Sequence, residues 1–177
     1  MLAALAAARD GNSVPAAPDR PELEYLKAVN RAGPHQDPEL LFLLMGQYLN
    51  ANRPGEGAEF VSALLKQFEP QLSDRDQSLY LAAIGLLRAG HAAEVPLLKR
   101  IGWVNDTIDT LERAKRLSAG NVFPVRWISG VVYAQLPGLF RKREAAQADL
   151  RWCIDHAAQA PHAGWLREVY YQLAELA

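Results

Sequence analysis

A chain of 177 residues with a net charge of −1 and a single cysteine has the length for one domain with a real core. It excludes an internal disulfide and a four-cysteine zinc site. The balanced charge argues against a dedicated nucleic-acid binder, which is normally a strongly basic domain, and a hydrophobic content of 50% excludes a wholly disordered chain.

Composition points to helices. Ala and Leu contribute 55 residues against 17 Val, Ile and Thr; the former lose little side-chain freedom in a helix and the latter more. No run approaches the roughly 20 apolar residues of a membrane span. Residues 1–8, MLAALAAA, are apolar with no Lys or Arg ahead of them. They read as an N-terminal helix or as the end of a signal peptide that starts upstream. Residues 9–20 read as a flexible linker rich in turn formers, leaving 21–177 as one helical domain in the cytoplasm or the bacterial periplasm. The sequence does not separate these compartments.

The first helix is expected over 21–32, with Asp19 as cap, Pro21 in the first turn and Gly33-Pro34 as the stop. Asp37-Pro38-Glu39 opens a second helix, running to Asn50, that is apolar on nearly every side and so expected to be buried on both flanks. After the turn at Asn52-Arg53-Pro54-Gly55, a third spans about 56–68, with Val61, Leu64, Leu65 and Phe68 on one stripe. Ser73 and Asp76 form a capping-box-like pair for a helix through Leu79, Ala82, Ala83 and Leu86 to Gly90, read as its C-terminal cap. A short helix follows at about 92–101, starting near Glu94 because of Pro96. After Gly102 comes another, with Val104, Ile108, Leu111, Ala114 and Leu117. Residues 126–136, 144–156 and 165–176 complete about nine helices joined by short turns. That is the pattern of an all-α chain of antiparallel hairpins.

The hairpins carry a repeat. With Gly46 at a close-packing position, Phe42, Met45 and Leu49 take the bulky places of a first helix, Ala58 the small place of a second, and Pro70 the end. Leu79, Ala82, Ala83 and Leu86 begin a second unit, and Arg126, Gly130 and Tyr133 a third. Residues 165–176 begin a fourth, and an extra helix at 105–117 interrupts the series. On these residues the segment 38–177 resembles a degenerate tetratricopeptide array. The resemblance implies a short solenoid whose first helices line a groove: Gln47 and Asn50 from unit one, Tyr80, Ile84 and Arg88 from unit two, Trp127, Val131 and Gln135 from unit three. It implies a scaffold that binds a protein or peptide there. Trp127 and Tyr80 also suit a core. The last helix has no obvious polar cap, and solenoid ends need covering, so a homodimer is expected there unless the chain continues.

Chemistry is sparse. Cys153 and His156 share a helix face, but the thiol lies on the apolar stripe, where cysteines are inert, and no third member of a triad is identifiable. His35, His91, His156 and His162 are scattered without metal-ligand spacing. No Gly-rich phosphate loop occurs, so no cofactor, metal or catalytic residue is expected. The basic run Arg141-Lys142-Arg143 is a solvated loop or a contact for an anionic partner, and Arg113, Lys115 and Arg116 form a second run. The alternatives to a binding module are an accessory domain of an enzyme and a small-molecule-binding helical domain.

Overall fold

The computed structural model describes residues 21–34, 38–161 and 163–177. The expectations for segment 1–20, the Asp19 and Asp37 caps, His35 and His162 lie outside the described residues. Among these residues the chain forms eight α-helices and no strand. They are α1 (Pro21–Ala32), α2 (Glu39–Asn50), α3 (Pro54–Phe68), α4 (Asp74–His91), α5 (Leu97–Leu117), α6 (Phe123–Ala134), α7 (Arg143–Asp155) and α8 (Ala163–Glu175).

Local chemistry sets most of the boundaries. Ser73 Oγ accepts the Asp76 backbone N–H at 3.1 Å and its hydroxyl donates to the Asp76 carboxylate at 2.6 Å, so the expected cap opens α4. Pro54 and Pro124 sit in the first turns of α3 and α6, where a missing N–H costs no helical bond. Asn52 turns the chain between α2 and α3 with φ of 56°, a left-handed conformation that Asn adopts more readily than most residues.

Helices α3 and α6 start two and three residues earlier than the sequence reading placed them, at Pro54 and Phe123, and the largest difference lies at α5. The short helix at 92–101 and the extra helix at 105–117 are a single element, α5, of 21 residues. Residues 92–96 are a turn, and Pro96 precedes the first helical residue. Gly102 lies inside α5 with no neighbouring atom where a Cβ would point, so it marks no break in packing. Hence the described residues form eight helices, close to the nine or so expected, and among them no extra helix stands between the second and third pairs.

The pairs are therefore α2–α3, α4–α5 and α6–α7, with α1 packed on α2 at one end and α8 on α7 at the other. The first helices also stack on one another, α2 on α4, α4 on α6 and α6 on α8. Helix α4 lies at the centre, against α2, α3, α5 and α6, and buries every residue from Ser78 to Leu87. It is α4, rather than the more apolar α2, that is covered on all sides. Leu43 of α2 is half exposed.

Glycines set the closest crossings. A Cβ on Gly57 would lie 2.7 Å from the Tyr48 ring, one on Gly85 2.7 Å from Leu111 Cγ, and one on Gly130 2.8 Å from Leu150 Cγ. Each hairpin thus has one backbone that a large side chain of its mate approaches directly, which is how small residues set interaxial distance. Gly90 works the same way: it stays helical within α4, faces Leu49 and Pro54, and caps nothing.

Candidate binding cavity

The inner face expected from the repeat alignment is packed with its own side chains. Tyr80, Ile84, Trp127 and Val131 are buried. The Trp127 indole N–H donates to the Trp165 carbonyl at 3.1 Å, and the two rings lie 4.2 Å apart. Trp165 in turn meets Phe42 of α2 edge-on at 5.5 Å. The first turn of α8 thereby fills the space between α2 and α6. Burial raises the Tyr80 phenol above its ordinary value, with Asp76 adding to it. Gln47 is half-buried, Asn50 and Gln135 are exposed. Arg88 is occupied: its guanidinium lies 4.3 Å over the Trp103 ring and 3.4 Å from both Thr107 Oγ1 and the Asp106 carboxylate.

The open apolar site lies elsewhere, between the C-terminal end of α4, the first half of α5 and the end of α6. Helix α5 is tied to α4 at its start. The Trp103 indole N–H donates to the Arg88 carbonyl at 2.9 Å, and Arg100 Nη2 donates to the carbonyls of Ala93 and Val95 at 3.0 and 3.1 Å. Contact between α5 and α6 is slight by comparison with either helix pair. The gap left between them is a cavity of about 560 Å³, within the size range of ligand pockets. Leu86, Val104, Ile108, Val131, Val132 and Phe140 supply walls. Around the opening stand Leu97, Leu98, Ile101 and Leu139, with 75%, 98%, 60% and 65% of their surface exposed. Four large apolar side chains left in water beside one cavity form a patch, and such patches mark binding surfaces. Polar groups there are few: Arg100, Thr107 and Gln135.

Two of the eight groove candidates, Val131 and Gln135, reach this cavity; the other six do not line it. The residues missed at the sequence level were Leu97, Leu98, Arg100, Ile101 and Leu139. A signal for two of them existed. Leu97 and Ile101 continue the stripe of Val104, Ile108 and Leu111 upstream at helical spacing, and the expected break at Gly102 hid it.

The basic run is divided by its contacts. Lys142 binds the Glu112 carboxylate at 2.9 Å and lies 4.9 Å over the Tyr133 ring. Arg143 donates to the Leu176 carbonyl. Arg141 is exposed, left-handed at φ of 53°, and follows directly on Phe140 of the cavity wall.

Cys153 is buried completely. Burial pushes its thiol up to about 12, with the Asp149 charge adding and Arg126 opposing, so the nucleophilic thiolate is suppressed. His156 stacks on Trp152 at 3.8 Å and its Nδ1 lies 2.9 Å from the Trp152 carbonyl. Among the described residues no three His, Cys, Asp or Glu side chains gather as a metal site, and no helix is long and apolar enough to cross a membrane. Compared with known proteins, the chain has no significant match to a family model, a curated protein or a solved structure.

Proposed function

We propose that this chain is a non-catalytic interaction module, a short array of helical hairpins that receives an apolar segment of a protein partner in the cavity between α4, α5 and α6. The observation that carries the reading is the juxtaposition of that cavity with four exposed apolar side chains at its mouth. A partner that covers Leu97, Leu98, Ile101 and Leu139 gains about 25 cal/mol for each Å² of apolar surface removed from water, and a side chain inserted into the cavity acts as an anchor. The paired helices with stacked first members support the resemblance to a degenerate tetratricopeptide array. The binding element is displaced from the inner face, which Trp165 fills, to the outer gap between α5 and α6.

The reading is tested by affinity capture from source-cell lysate, with the full chain and its Leu98→Asp variant as baits. Leu98 is almost wholly exposed, so the variant is expected to fold with an unchanged circular dichroism spectrum and melting temperature. The expected result is a polypeptide retained near stoichiometry by the parent chain, lost with Leu98→Asp, and cross-linked to α5. Partners held equally by both baits would overturn the cavity as the binding element. Co-elution of a small ligand alone would favour the small-molecule-binding domain.

A further inference from the structure

The charges around the cavity mouth are one-sided. Residues 92–101 and 135–142, which supply most of its rim, contain Glu94 as their sole acid against Lys99, Arg100, Arg141 and Lys142. Glu94 lies 3.2 Å from His91, and Lys142 is bound to Glu112. Lys99, Arg100 and Arg141 have no carboxylate partner among the described residues. Arg100 touches the cavity itself. Its hydrogen bonds go to two neutral carbonyls, and its Nε–H is buried without an acceptor. Helix α5 begins at the same rim with no side-chain cap and no acidic residue in its first turn, so its positive dipole end is uncompensated.

From this we infer that the segment the cavity takes is an acidic amphipathic helix of a separate polypeptide: a stripe of apolar side chains entering between α5 and α6, flanked by Asp and Glu that meet Lys99, Arg100 and Arg141. The inference rests on the interaction-module reading. A helix is favoured over an extended segment because the described part of the chain offers no sheet edge. An incoming strand would find no ladder of donors and acceptors, whereas a helix satisfies its own backbone. Apolar residues at i, i+3 or i+4 and i+7 match a groove between helices. Two other occupants fit the charges poorly. A second copy presenting the same face would set Lys99 and Arg100 against their own kind, which is repulsive. Residues 1–8 of this chain are apolar and contain no acid.

The test uses the purified full chain and two synthetic helices about 16 residues long, with identical leucine stripes and either Glu or Lys on the polar face. Binding is followed by fluorescence anisotropy and located by amide chemical-shift changes. The Glu peptide is expected to bind at least about tenfold more tightly than the Lys peptide at about 50 mM salt, with the difference shrinking toward about 500 mM as charges are screened. Arg141→Gln and Arg100→Gln are each expected to reduce that preference, and Leu98→Asp to abolish binding of both peptides. Arg141, exposed and free of the turn that Arg100 closes, keeps the test independent of folding. Equal or tighter binding of the Lys peptide would overturn the acidic assignment and leave the interaction module standing. Failure of both peptides at millimolar concentration would overturn the helix, while the module is judged separately by the Leu98-dependent capture. A dimer by light scattering that dissociates in Leu98→Asp would overturn the separate partner and make the occupant a second copy.

Discussion

Asp149 is fully buried, with Lys115 Nζ 2.8 Å from one carboxylate oxygen and Arg126 on the other. Lys115 comes from α5, Arg126 from α6 and Asp149 from α7, so one carboxylate joins three helices. Replacing a buried pair by apolar groups is often tolerated, but deleting one partner strands the others. Asp149→Ala is expected to cost about 3 kcal/mol by urea denaturation, toward the low end for buried pairs because both cations are partly exposed. Glu112 gives a pH signature. Burial by itself would raise its carboxyl, but hydrogen bonds from Lys142 and Tyr133, with the nearby Lys115 charge, outweigh burial and hold it below its ordinary 4.5. A depressed carboxyl contributes stability that is complete above its unfolded value and vanishes as pH falls through the folded one. The melting temperature of Glu112→Gln should therefore lie below that of the parent at neutral pH and approach it as pH drops below about 4.5.

At the scale of elements, α5 is the informative case. Its continuity through Gly102 lets one helix serve two purposes: the first half borders the cavity, and the second packs Leu111 and Ala114 in the core. Gly102 is exposed, helical and clear of neighbours. Substituting Ala should therefore stabilise the protein by up to about 1 kcal/mol, the difference in helix propensity. A loss of stability in Gly102→Ala, read from the urea midpoint, would mean that the chain bends there as two helices. Gly85 is the contrasting case. It has the same local propensity cost but is pressed by Leu111, and no substitution there is free of overpacking.

For the whole molecule, the stacked pairs place a single apolar core along the array, in which Cys153, Leu150 and Leu111 have no exposed surface. Cys153 accordingly reports global opening. A thiol reagent should label it at a rate that rises in step with the unfolded fraction in urea. Rapid labelling under native conditions would show that α7 opens locally. The same architecture explains where a site can form. Inner helices close on each other through Trp165, Trp127 and Phe42, while α5 and α6 touch only slightly and leave their apolar faces only partly covered.

The sequence by itself determined the helical class and the approximate place of most helices, because these depend on contacts within a turn or two of chain. Ser73 with Asp76 and the stripe through Leu111 were readable in this way, whereas Pro54, read as part of a turn, opens α3. Periodicity names an apolar face without naming what covers it. Val131 and Trp127 look alike on a helical wheel of α6, yet one reaches the cavity and the other is sealed by Trp165, 38 positions farther along. Gly102 and Gly85 are likewise indistinguishable in sequence, and only their neighbours separate a neutral position from a helix crossing. Tertiary structure alone decided the pairing of Asp149, the continuity of α5 and the slight contact between α5 and α6 that leaves the cavity. Each of these is set by side chains distant in the chain, whose packing outweighs the local preference of any one residue.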